Sequence, residues 1–452
     1  WFRKFVRHVE ADFRIKRTRK EVKKVWSRVG DAYLRIGDGY FIGKDYESAL
    51  EYYDKTLTLL PDSMATLGFS LVDQDYALFQ KALSYGVLGR TEQKISVLLA
   101  FMKNHPNSTY TADAKFNLGK GYSELAKHDS AIVWYQTVIE DHPNSSAYLK
   151  QSILNMGLEY RNKGESQVAL VTLNRVWKDY PATREAQDAL MALKSIYIDL
   201  GDITPWTELV VSLPWANASN AELDSAYYEA VEVLYMKGDC QRAIKDLGSY
   251  LEKFPEGFFT LNANYYRAEC LSRRGDSTST DMALEGYDFV IAQPQNAFTE
   301  KSLLRAAQIY YQRKKYQRSV DLYIELEKIA EYKSNILAAR IGTMRGYFLL
   351  REYPLATEAA REVISTDKVG SEILAEAHYI IAKSAFETDN YNLALKEFRI
   401  TESLTHSEIG AASLYYVAYV QYLRSEHDSS EKSIFKLSSR SPSYDHWVAK
   451  GF

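Results

Sequence analysis

The sequence predicts an all-α fold, an α-solenoid of stacked helical hairpins. Three observations predict it. A pattern of small residue, aromatic residue and closing proline recurs along the chain. Tyrosine is abundant at 35 residues while proline (10) and glycine (22) are few, which suits helices packed on helices with rings filling the space between them. Finally, 452 residues exceed what one hydrophobic core organises, so several domains or a repeat array is required.

The clearest unit runs from Asp31 to Pro61. Tyr33, Gly37 and Tyr40 recur at three- and four-residue steps and so share one face of a first helix. GKDYESA makes the turn, Ala49, Tyr53 and Thr56 face back from a second helix, and Pro61 ends the unit because proline cannot continue a helix. The small residues Gly37 and Ala49 let the two helices approach, and the large ones fill the gaps beside them. Leu118, Gly119, Tyr122, Ala131, Tyr135 and Pro143 repeat the pattern, as do Met156, Gly157, Tyr160, Ala169, Leu173 and Pro181. Weaker copies are keyed on Ala243 with Pro255, and on Ala283 with Tyr287. Others carry Tyr310, Tyr316 and Tyr323, then Tyr347, Tyr353 and Ala356, then Ala382, Tyr391, Ala394 and Phe398, and a last one runs from about Ser413 to Pro442. Between Leu190 and Trp215 the phase degrades, and TPWTEL replaces the usual start of a second helix.

These residues resemble the tetratricopeptide repeat family over nearly the whole chain. The resemblance implies a right-handed superhelix of about eleven hairpins. It divides the chain into 1–29, the end of a preceding repeat plus a basic connector; 30–182, well-matched repeats; 183–222, a degenerate repeat; 223–443, divergent repeats; and 444–452, the start of a further repeat. Phe2 falls at an aromatic position, and Trp447 and Gly451 fall at consensus spacing, so both ends read as cut through repeats. The expectation is an internal segment of a longer protein.

Composition removes several function classes. The net charge of -3, with 25% charged residues, is not that of a globally basic nucleic-acid binder. No apolar run reaches the ~18 residues of a membrane-spanning helix. Two cysteines, Cys240 and Cys270, are too few for a disulfide framework or a zinc site. One bridge between them is compatible with their spacing, but two buried thiols acting as small apolar fillers are the preferred reading.

No HExxH, GxSxG, Walker loop or GxGxxG following a strand appears, so no catalytic residue, metal ligand, cofactor site or small-molecule substrate is expected. Gly119-Lys120-Gly121 sits mid-helix in its repeat rather than in a phosphate loop. His105 and His142 occupy equivalent connectors and read as surface residues. The one strong charge bias is Arg3, Lys4, Arg7, Arg14, Lys16, Arg17, Arg19, Lys20, Lys23, Lys24 and Arg28 against three acidic residues. A solvated connector or helix is the preferred reading over a patch for anionic lipid or an acidic partner.

Function in such an array lies on the groove lined mainly by first helices. Groove positions fall on Phe41, Phe116, Tyr228, Tyr311, Phe348, Tyr379, Phe386 and Tyr416, rings suited to anchoring a partner segment. Repeats of this family that hold a partner's terminal carboxylates use a groove lysine. Here that position carries Leu34, Phe116, Leu154, Leu304 or Ile341, so apolar or extended-chain contacts fit better.

The joints HPNSTYTADAKFNLGKGY, HPNSSAYLKQSILNMGLEY and DYPATREAQDALMALKSIYIDLG resemble those of bacterial envelope tetratricopeptide proteins, and DYALFQKALSYGVLGRTEQKI, FTEKSLLRAAQIYYQRKKY, NILAARIGTMRGYFLLREY and DHWVAKGF resemble the large envelope-associated tetratricopeptide proteins of Bacteroidota. That resemblance implies a non-enzymatic scaffold, periplasmic and outer-membrane associated, whose partners are other proteins of the envelope or outer-membrane complexes. Asp62-Ser63-Met64, Asp129-Ser130-Ala131, Asp224-Ser225-Ala226 and Asp276-Ser277-Thr278 match the short O-glycosylation pattern of that phylum. The rival expectation is the cytoplasmic sensor region of a larger signalling protein; a third is an accessory region of an enzyme whose catalytic part lies outside the chain.

Overall fold

The computed structural model describes residues 2–11, 19–59, 74–144 and 146–452. Among these residues it contains twenty-four α-helices and no strand. None of the helices is long and apolar enough to cross a membrane. The chain forms two compact units, 1–230 and 231–452.

In the first unit, α1 (Phe2–Ala11) precedes five helical hairpins. They are α2 (Arg19–Ile42) with α3 (Tyr46–Leu57), α4 (Gln74–Val87) with α5 (Thr91–Asn104), α6 (Thr111–Glu124) with α7 (His128–Asp141), α8 (Ser146–Asn162) with α9 (Ser166–Asp179), and α10 (Arg184–Leu200) with α11 (Thr204–Ser212). Next, α12 (Asn220–Met236) runs across the division and a short turn leads to α13 (Cys240–Lys253). The second unit holds five more hairpins: α14 (Thr260–Arg274) with α15 (Ser277–Ala292), α16 (Thr299–Gln312) with α17 (Tyr316–Ile329), α18 (Lys333–Leu349) with α19 (Tyr353–Ile364), α20 (Ser371–Glu387) with α21 (Tyr391–Leu404), and α22 (Glu408–Leu423) with α23 (His427–Ser438). A short α24 (Asp445–Gly451) follows. Within each unit every helix of a hairpin packs on the one before it, and the first helix of a hairpin also touches the first helix of the next along much of the series.

The hairpins close by one device. The residue ending each turn has a left-handed backbone, seen at Lys44, Gly89, Ala126, Gly164, Gly201, Gly275, Lys314, Arg351, Asp389 and Ser425. The next amide then reaches back five residues, Asp45 N–H to Tyr40 C=O, Lys127 to Tyr122, Glu165 to Tyr160 and Lys315 to Tyr310, each at 2.9 Å. This satisfies a carbonyl left without a partner at the end of the first helix.

Close approach explains the small residues. A Cβ on Gly119 would lie 2.5 Å from the ring of Tyr135, which is itself buried. Only glycine lets α6 rest on that ring, and burying it contributes on the order of 2 kcal/mol. Across the turn the facing register is filled by fully buried alanine at Ala49, Ala131, Ala169, Ala283, Ala356 and Ala394. Serine takes the same register twice, and Ser319 and Ser430 each donate to the carbonyl twelve residues earlier, of Ala307 and Ala418, at 2.8 Å. In α5 the register holds Lys94, buried at 4% exposure. The degraded stretch has its own physical cause. Pro205 sits in the first turn of the nine-residue α11, and Trp206 fills the interface, donating its indole N–H to the Leu190 carbonyl at 2.8 Å.

One expectation needs correction. Cys240 and Cys270 are joined by a disulfide rather than held as separate thiols, because α13 and α14 bring their Cα atoms to 5.2 Å. The first helix of the first hairpin begins at Arg19 and carries the C-terminal part of the basic stretch. Arg14, Lys16, Arg17, Pro61 and the Asp62-Ser63-Met64 tripeptide lie outside the described residues.

Candidate functional site

Four successive first helices of the second unit, α16, α18, α20 and α22, lie side by side. Their side chains enclose an open trough of about 580 Å³. Tyr311 comes from α16, Arg345, Phe348 and Leu349 from α18, and Glu372, Ile373, Glu376, Tyr379 and Ile380 from α20. Ser407 precedes α22, and Glu408 and Ile409 open it. Among the described residues no second helix contributes to the lining.

Inside the trough, Arg345 binds Glu376 through two hydrogen bonds, Nε to Oε1 at 2.7 Å and Nη2 to Oε2 at 2.6 Å. These bonds hold the guanidinium above its ordinary pKa, against the effect of its burial. Burial raises the phenol pKa of Tyr311 and of Tyr379, so both rings remain neutral and keep their O–H donors near pH 7. Tyr311 rests edge-on against Tyr316, and Tyr379 edge-on against Phe398 at 6.0 Å. The rings are therefore braced from below by second helices. Glu372 accepts the Thr405 hydroxyl at 2.7 and 2.8 Å, and Glu408 accepts the Trp447 indole N–H at 3.3 Å.

Of the eight aromatic residues expected in a groove, the structure brings Tyr311, Phe348 and Tyr379 into this one trough. Phe386 and Tyr416 form a neighbouring cluster, 5.1 Å apart, with Lys383 over the Tyr416 ring at 4.3 Å. Tyr416 stacks on Phe398. Phe41 is half-buried and rests edge-on against Tyr46. Phe116 and Tyr228 are placed in the core instead, 8% and 2% exposed. Tyr148 of the next hairpin covers Phe116 at 5.2 Å.

Sequence reasoning passed over the charged lining, Arg345, Glu372, Glu376 and Glu408. The available signal was the near-repeat spacing of Arg345 and Glu376 on successive first helices. Elsewhere, Gly119-Lys120-Gly121 lies within α6 as a helical segment. His105 and His142 cap the ends of α5 and α7 and are half-buried. No group of three or more His, Cys, Asp or Glu able to hold a metal occurs among the described residues.

The family profile described as tetratricopeptide repeat matches residues 76–108 and 113–145, which cover α4/α5 and α6/α7 with their connectors. The left-handed turn and the small-residue register found there recur through both units. The chain carries tetratricopeptide repeats. Comparison with curated proteins finds no match. Among solved structures, a tetratricopeptide repeat protein from Parabacteroides merdae is similar at 17% identity, over 60% of this chain and 98% of its own, with a TM-score of 0.31. The MamA protein is similar at 18% identity, over 46% and 94%, with a TM-score of 0.33. The tetratricopeptide domain of P58(IPK) is similar at 14% identity, over 83% and 96%, with a TM-score of 0.25. Such repeats imply a protein–protein interaction scaffold.

Proposed function

We propose that this chain is a non-enzymatic docking scaffold of the Gram-negative envelope, and that the trough formed by α16, α18, α20 and α22 seats an extended segment of a partner protein. The observation that carries the reading is the convergence of Tyr311, Phe348 and Tyr379 from three successive hairpins on one trough. Rings braced by second helices lose little freedom on binding, so contact area converts efficiently into affinity. The trough is built from rigid helices rather than loops, which fixes a bound segment in register with the array.

The location rests on the resemblance to envelope proteins and draws support from the Cys240–Cys270 disulfide, since such bonds persist in oxidising compartments and are rare in the cytoplasm. The partners in this reading are proteins of the periplasm and outer membrane.

Quantitative pull-down from envelope extracts tests the proposal. Two variants are compared with the unmodified chain, Phe348→Ala, which removes an anchor, and Leu349→Trp, which fills the trough from a partly exposed position. The expected result is a discrete set of envelope proteins enriched by the unmodified chain and reduced about tenfold or more with either variant. An enriched set unchanged by both variants contradicts the reading.

A further inference from the structure

The charges lining the trough are unequal. Three carboxylates, Glu372, Glu376 and Glu408, face one guanidinium. Arg345 is already committed to Glu376 through both of its short bonds, so that pair is neutral as a unit. Glu372 and Glu408 are held only by neutral donors, the Thr405 hydroxyl and the Trp447 indole, and neither has a cation within ion-pair distance among the described residues. The two share one corner of the trough. Thr405 donates to Glu372 and accepts the backbone N–H of Ser407 at 3.1 Å, and Ser407 lines the trough immediately before Glu408. On that side Lys436 and Arg440 pair with Glu402, and Lys450 stands over the Trp447 ring at 5.3 Å.

We propose that the docked segment is basic, an extended stretch of polypeptide that places an arginine or lysine at the Glu372/Glu408 corner. This rests on the reading of the trough as a docking site and adds the chemistry of its occupant. A cation there gains two carboxylates that need no rearrangement and lies beside the aromatic walls of Phe348 and Tyr379, whose ring faces attract cations. Arginine fits best, because its fork can serve a carboxylate while its plane stacks on a ring. An acidic segment meets two uncompensated carboxylates and no free cation in the lining, so it is rejected by repulsion.

The test is selection of random dodecamer peptides displayed on phage against the intact 452-residue chain. Clones that fail to bind the Leu349→Trp variant are kept as trough-dependent. The expected result is that these clones are rich in Arg and Lys and bind the Glu372→Gln/Glu408→Gln variant at least about tenfold more weakly. Both glutamates are exposed, so the double variant retains its fold, checked by an unchanged thermal melt. Trough-dependent clones that are neutral or acidic, or that ignore the double variant, overturn the basic-segment inference while leaving the docking reading standing. Absence of any trough-dependent clone overturns both.

Discussion

Arg345 and Glu376 stand 31 residues apart, on the first helices of adjacent hairpins, and clasp each other through two parallel hydrogen bonds. The pair is a rivet between repeats as well as part of the trough floor. Both side chains are only partly exposed, at 38% and 25%, so solvent weakens the attraction without abolishing it. Arg345→Ala is expected to cost about 1–2 kcal/mol in urea unfolding, and Arg345→Lys about half as much, because lysine keeps the charge but loses the fork. A double-mutant cycle with Glu376→Gln separates this coupling from packing. A coupling energy near zero contradicts the rivet.

Lys94 occupies a register that elsewhere holds alanine or serine, with its ammonium 3.4 Å from Glu124. Burial lowers its pKa, and Glu124 offsets that only in part. The unfolded chain therefore binds this proton more tightly than the folded one. Stability is withheld at neutral pH and recovered as pH rises through the lowered folded value toward the ordinary lysine value. Lys94→Met, which keeps the methylenes that pack on Gly86, is expected to stabilise by about 1 kcal/mol at pH 7. That gain should shrink toward pH 10 in parallel chemical denaturations. A destabilised variant, or a pH-independent difference, contradicts the assignment.

The left-handed turn residues give a paired expectation. Arg351 holds φ at 63°, a conformation costly for any residue with a Cβ, so Arg351→Gly should stabilise by roughly 1 kcal/mol. Gly119→Ala should do the reverse by about 1–3 kcal/mol, because its new methyl meets the Tyr135 ring inside normal contact distance. Thermal melts of both variants suffice. Equal effects would mean that turn strain and helix contact are not distinguished in this way.

The Cys240–Cys270 bond closes a loop of 30 residues. Non-reducing mass analysis should find the intact chain two hydrogen atoms lighter than after reduction. Reduction, or Cys240→Ala/Cys270→Ala, is expected to cost about 2–4 kcal/mol in the second unit. Free thiols that react readily with alkylating agents in the native protein contradict this.

Much of the fold was legible because the register that packs helices also repeats along the chain. Gly37, Gly119 and Gly157 could be read directly, since glycine there is enforced by contact with the residue across the turn. The hairpin α4/α5 was not counted among the repeats because Ala82, Lys94 and Leu98 replace the glycine, alanine and tyrosine that mark its neighbours. The turn conformations of Lys44, Lys314 and Arg351 carry no compositional mark. At the trough, the aromatic positions were visible on single helices, but cover from a neighbouring hairpin was not. Tyr148 hides Phe116, whereas Tyr379 at the corresponding position of its own helix lines open space. The disulfide and the Arg345–Glu376 pair likewise depend on how successive hairpins stack, which spacing hints at and only coordinates display.

The most direct test replaces single residues with a photo-reactive phenylalanine analogue, at Phe348 in the trough and at exposed Glu362 on the second helix of the same hairpin, in cells that make the protein. Irradiation is expected to give a discrete covalent adduct at position 348, with the cross-linked peptide of the partner rich in basic residues, and none at 362. Adducts confined to position 362, or equal at both positions, would contradict docking through the first-helix trough.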